Sequence, residues 1–256
     1  MMTAPHSFRA ALLLGLCIAM APTLSAQGFL SLTTVHFNVK YQGGVGDEQA
    51  KKAVEYLEDE YSYLNRKLGV GFDHPLEVRM YESVGRFRAE SGAGASSDGA
   101  IVNKRVFHIE PLQTLAETKS FEKTISYHLA LAMLDEAGRR GCPVWLRQAF
   151  AVYHCGEMPD LDPPVGVRVT HFADLDQDIQ QYTTPPQRDD VHYVLGLTMK
   201  FFVDRCGEPQ AFGIFRAFTG ASTADEVIAK AFGRAYDAIE KEWSEYIAAH
   251  TVRLRR

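Results

Sequence analysis

Cysteine is scarce, with four in 256 residues and no Cys-x-x-Cys spacing, so neither a zinc knuckle nor a thioredoxin-like redox site is supported. Beyond the N-terminus no apolar run reaches the roughly 20 residues that a membrane-spanning helix needs. Positive charge is neither abundant nor striped: 27 Lys and Arg against 32 Asp and Glu leave a net charge of −5, which removes the general electrostatic reason to bind nucleic acid. The one basic cluster, Arg253, Arg255 and Arg256, reads as a solvated chain end. A G-x-S-x-G elbow is missing, and Ser126 and His128 are too close along a helix to share a face, so serine hydrolysis is not supported. Gly92-Ala-Gly94 lacks the third glycine of a dinucleotide fingerprint. Asp174-Leu-Asp-Gln-Asp178 lacks the turn glycine and distal Glu of a calcium loop and reads as a solvated acidic turn. His36, His108, His154, His171 and His192 are dispersed without metal-ligand spacing.

What is present is an ordinary globular composition, 46% hydrophobic and 11% aromatic, enough for a sizeable core. Residues 1–26 have the three parts of an export signal: Arg9, an apolar run from Ala10 to Ala21, and a small-residue site after Pro22 ending Leu24-Ser25-Ala26. Cleavage is expected after Ala26, giving a periplasmic or secreted chain. Cys142, Cys155 and Cys206 then remain, an odd set in a compartment that permits disulfides. Cys142 and Cys155 flank one expected helix, roughly 20 Å apart by helical rise, and cannot pair.

Along the chain, Val35, Phe37 and Val39 alternate as a strand, and Leu76, Val78 and Met80 repeat the pattern. Between them Ala50, Val54, Leu57, Tyr61, Leu64 and Leu68 predict a helix from about Asp47 to Leu68, with Gly69 as its C-terminal cap. Residues 100–103 and 105–110 read as a hairpin. From Lys119 onward the pattern is helical, over about 120–137, 143–155, 190–205, 208–219, 222–231 and 235–249. The proline-rich stretch 157–189 reads as a surface lobe over a cleft. The expected fold is α+β: a signal at 1–26, a small mixed-sheet part at 27–117 and a helical part at 118–256.

One constellation is specific. A helix carrying Tyr127-His128-Leu129-Ala130-Leu131 is followed by Pro143, then Trp145-Leu146-Arg147-Gln148-Ala149-Phe150-Ala151-Val152-Tyr153. This resembles the two-helix core of the peptidase MA-like (gluzincin) zinc metallopeptidases, in which H-E-L-x-H precedes P-x-W-L-x-E-G-x-A-x-Y. Pro143, Trp145, Leu146, Ala151 and Tyr153 match the second motif. That chemistry needs two histidines four apart, on one helix face, to hold a zinc, with a Glu between them polarising water and another Glu as third ligand.

Carried over by position, the resemblance puts Tyr127 in place of the first His, His128 of the base, Leu131 of the second His and Gln148 of the third ligand; Ala149 replaces the usual Gly. Leu131 has no donor, Gln148 is a weak neutral one, and Tyr127 would have to lose a proton with a pKa of about 10. The resemblance thus implies a helical part of zincin-like fold with neither zinc nor another cofactor. The exchanges are mutually consistent, because they remove carboxylates that would face an apolar cleft without a cation. Read without the resemblance, His128 is a core histidine bonded to a neighbour, and Trp145 and Tyr153 are core aromatics. The expected role is a binding or scaffold protein of the cell envelope, taking a peptide, a protein or an envelope polymer in the remnant cleft. The rivals are an active hydrolase with a non-standard site and a structural protein whose cleft is filled by its own side chains.

Overall fold

Alternating burial along Phe37, Val39 and Tyr41 fixes one face of a strand against the core, and the sheet grows outward from it. The computed structural model describes residues 28–94, 97–103, 105–165, 171–181 and 184–251, apart from the Glu136 side chain. The expected export signal and the terminal arginine cluster lie outside the described residues. The strands are β1 (Phe29–Thr33), β2 (Phe37–Gln42), β3 (Leu76–Met80), β4 (Gly99–Val102) and β5 (Val106–Ile109), in the spatial order β1-β2-β3-β5-β4. β2, β3 and β5 run parallel, while β1 and β4 pair antiparallel on the outside.

The crossover from β2 to β3 is α1 (Asp47–Leu68), whose buried stripe is Ala50, Val54, Leu57, Tyr61, Leu64 and Leu68. Asp47 and Glu48 in its first turn and Arg66 and Lys67 in its last complement the helix dipole. Gly69 ends it at φ 64°, its N–H donating to Asn65 O. The remaining helices are α2 (Val84–Ser91), α3 (Leu112–Glu117), α4 (Phe121–Met133), α5 (Asp135–Arg139), α6 (Val144–Cys155), α7 (Phe172–Gln181), α8 (Pro185–Cys206), α9 (Glu208–Ala217), α10 (Ala224–Phe232) and α11 (Tyr236–His250). A mixed sheet followed by helices is the α+β arrangement expected. One cluster of buried side chains runs from Val39 and Val78 of the sheet through Leu129 and Leu146 to Trp243. Among the described residues no helix is long and apolar enough to cross a membrane, and Cys142, Cys155 and Cys206 are all free thiols.

Several local expectations are corrected. Val35 is 67% exposed and belongs to the β1–β2 turn, where the Phe37 N–H donates to the Thr34 hydroxyl oxygen. β1 escaped the reading because only Phe29 and Leu32 of its five residues turn inward. The helix expected over 120–137 breaks at Leu134, which caps α4 before the short α5. α8 begins at Pro185, five residues before the apolar pattern does, because Thr184 and Gln187 form a capping box and proline suits a first helical turn.

The acidic stretch Asp174–Asp178 is not a turn but lies inside α7. Phe172 and Leu175 anchor that helix, with the Phe172 ring stacked on Trp145 at 4.9 Å and on Trp243 at 4.3 Å. Asp176 accepts a 2.7 Å hydrogen bond from the Trp145 N–H, placing a carboxylate at the N-terminal turn of α6 where the peptide dipoles favour it.

The core contains a polar relay: Trp243 Nε1 donates to Thr198 Oγ1 at 3.0 Å, and that hydroxyl donates to Val194 O at 2.8 Å. Thr198→Val should leave the buried indole N–H without an acceptor and cost about 1–3 kcal/mol in urea unfolding. Trp243→Phe in the same background should give a smaller additional loss than Trp243→Phe alone, and strict additivity would show that the relay carries no coupling.

Candidate functional site

Thr124, Tyr127, His128 and Leu131 occupy successive positions on one face of α4, and that face looks onto β4 and the loop preceding it. The start of α8, with Arg188 and His192 one turn apart, closes the other side. Together with Asp98, Ile101, Lys123, Cys155 and Glu157 they line an open cleft of about 570 Å³.

The close approach of β4 depends on Gly99. A Cβ there would lie 2.6 Å from His128 Cδ2 and 2.7 Å from its Nε2, so the strand backbone lies directly against the imidazole. Asp98 is thereby held over α4: the Thr124 hydroxyl donates to its Oδ2 at 2.6 Å, and His128 Nε2 stands 3.7 Å from its Oδ1. Across the cleft His192 Nδ1 bonds Glu157 Oε2 at 2.9 Å, and Arg188 stands 3.7 Å from the other oxygen of that carboxylate. The Tyr127 ring joins the two pairs, edge-on to His128 at 5.1 Å and stacked on His192 at 5.5 Å. Lys123 is bonded to Asp160 at the rim.

Burial pushes the Asp98 carboxyl up, but His128 and the Thr124 hydroxyl outweigh it and hold it below the usual carboxylate range. Glu157 behaves likewise: burial raises it, while the His192 hydrogen bond and charge and the Arg188 charge bring the net value down. Burial drives the Cys155 thiol to about 12, so it is no thiolate nucleophile at neutral pH.

The structure brings Tyr127, His128 and Leu131 together in the cleft but leaves Gln148 out of its lining. Gln148 lines an adjoining pocket of about 220 Å³, and Ile101 and Leu131 line both cavities. Trp145, Leu146 and Ala149 are buried core residues, Pro143 precedes the first turn of α6, and Tyr153 packs edge-on to Phe212 at 6.5 Å. They therefore support the helix pair without touching the cleft. Ser126 points elsewhere, sharing a 3.1 Å hydrogen bond with the Tyr56 hydroxyl on α1.

Sequence reasoning missed Asp98, Glu157, Arg188 and His192. His192 was read as dispersed, and only the fold sets it beside Tyr127; its one local signal is the one-turn spacing from Arg188. The zinc that the gluzincin motif holds does not fit these residues. Leu131 offers no donor atom, and among the described residues no three His, Cys, Asp or Glu side chains gather closely enough to hold one ion. Comparison with known proteins gives no matching family model and no matching curated protein.

A carboxyl held below its ordinary value contributes stability that is complete above the unfolded pKa and is lost as pH falls through the folded one. The urea midpoint should therefore fall as pH drops below about 4. Asp98→Asn should flatten that limb, and an acid limb identical to the parent's would show that Asp98 is not held by His128 and Thr124.

Proposed function

We propose that this chain is a zincin-like relative of the peptidase MA-like (gluzincin) metallopeptidases, and that its cleft binds an extended peptide without cleaving it, in the periplasm or outside the cell. The observation that supports the reading is Leu131, a side chain with no donor atom, which lies where the resemblance puts the second metal-ligating histidine and lines both the cleft and the pocket that holds Gln148. The remaining polar groups are matched in carboxylate–histidine pairs. A water-polarising base beside a Lewis acid has no counterpart among them.

An extended peptide is favoured over a globular ligand by the position of β4. It is an outer strand, paired on one side to β5, and Ile101 carries it along the cleft. An outer strand offers its unpaired backbone groups as a template for a further strand, while the cleft takes alternate side chains. His128 and Tyr127 then serve as walls of the groove, and the lining carboxylates Asp98 and Glu157 are balanced by Lys123 and Arg188, leaving no excess charge that would demand an ionic ligand.

Adding an unstructured decapeptide to the isotope-labelled protein should shift the Gly99–Val102 amide signals, and mass spectrometry after long incubation should find the peptide intact. Leu131→Trp, which crowds both cavities, should weaken binding by about tenfold or more, equivalent to about 1.4 kcal/mol. Cleaved peptide in the parent sample but absent with Asp98→Asn or His128→Ala would identify an active hydrolase instead.

A further inference from the structure

Three cavities lie in a row beside α4 and α5, and residues four apart touch them in turn. Tyr127 lines the cleft, Leu131 the cleft and the adjoining pocket, Asp135 that pocket and a third cavity of about 660 Å³, and Arg139 the third alone. The facing side keeps the same order, with Asp98 in the first, Ile101 in the first and second, and Arg105 in the third. The row therefore follows β4 from the residue before it to the turn beyond it.

Four helical residues rise about 6 Å, and α5 resumes the helix at Asp135 after the cap at Leu134. Successive cavities thus stand about 6 Å apart along the row. In an extended chain alternate side chains point the same way and recur about every 6.6 Å. The two repeats match, so the row suits the side chains of residues i, i+2 and i+4 of one extended peptide. The middle pocket, about 220 Å³, falls below the roughly 300 Å³ at which small-molecule sites begin and has room for one side chain.

The three differ in character. The first is polar, with Asp98, Glu157, Lys123 and Arg188 in its lining, and the third is edged by Asp73, Glu77 and Arg105. Between them the middle pocket has Ile101, Leu131, Ala132 and Val144 for walls. Its two charged residues, Asp135 and Arg147, have opposite signs and are engaged with the protein: Asp135 Oδ2 accepts from Arg139 Nε at 3.1 Å, and the Arg147 guanidinium lies against Gly138, where a Cβ would stand 2.7 Å from Cζ. An added carboxylate would face Asp135 as well as Arg147, so neither sign of charge is favoured, whereas burying an aliphatic side chain against four apolar walls is. We infer that the middle pocket selects an aliphatic side chain, and that the bound peptide extends over at least five residues, with polar side chains two positions to either side. This rests on the groove reading above and adds to it the length and the residue pattern of the ligand.

The test is NMR on the full chain with acetylated, amidated heptapeptides of glycine that carry serine at the second and sixth positions and leucine, glutamine, glutamate or lysine at the fourth. The leucine peptide should shift the Leu131 and Val144 methyls together with the Gly99 amide and the Arg105 side chain, and should bind about tenfold or more tighter than the other three. Val144 is 40% exposed and opens α6, where a carboxylate suits the helix dipole, so Val144→Asp should fold. That variant should lose the preference for leucine while the peptides still shift Gly99. Equal affinity for all four peptides, with Gly99 shifted, would leave the groove standing and remove the apolar pocket, and so would tighter binding of the glutamate or lysine peptide. Shifts at Gly99 and the methyls without one at Arg105 would confine the peptide to the first two cavities and overturn the inferred length. No Gly99 shift with any peptide would remove the groove itself, and this inference with it.

Discussion

The contact between the Gly99 backbone and the His128 ring is the constraint from which the rest of the cleft follows. With no Cβ at Gly99, β4 settles against α4 at a distance that no other residue permits without moving the imidazole. That approach swings Asp98 over Thr124 and His128, and it brings Ile101 up to Leu131, so one strand supplies both the polar end of the cleft and its apolar wall. β4 is also an outer strand of the sheet, with Ile101 in the cleft lining.

Electrostatically the cleft is self-contained. Two carboxylates face it, and each is matched to a histidine, Asp98 to His128 and Glu157 to His192, with the Tyr127 ring between the imidazoles. A cleft built around a cation would leave such carboxylates in need of that cation, since burying unpaired charge is costly. Here the permanent positive charges, Lys123 on α4 and Arg188 on α8, are built into the helices that line the cleft. The resulting balance suits a surface that receives neutral polar and apolar groups.

Much of the fold was legible wherever local pattern and local chemistry agreed. The stripe of α1 and its Gly69 cap, the alternation in β3 and the hairpin of β4 and β5 are all local statements, and the structure places them close to where they were read. Failures came where tertiary contacts decided. α7 looked like a solvated acidic turn because its two anchors, Phe172 and Leu175, mean little until Trp145 and Trp243 are beside them. Pro185 and Pro186 looked like loop residues because the Thr184 capping box outweighs their usual meaning. For the site, the face of α4 was readable from helical spacing. Asp98 and His192 were not, since residues distant along the chain meet only through the crossing of β4, α4 and α8.

The central claim is that the two-helix frame persists while its metal-gathering positions have been exchanged. Zinc content after equilibrium dialysis tests it most directly, comparing the parent with the combined Tyr127→His, His128→Glu, Leu131→His, Gln148→Glu and Ala149→Gly variant. The account predicts no stoichiometric zinc in the parent and about one ion per chain in the folded variant, because α4 and α6 would then present a complete ligand set. Stoichiometric zinc in the parent, or a folded variant that retains no more zinc than the parent, would contradict it.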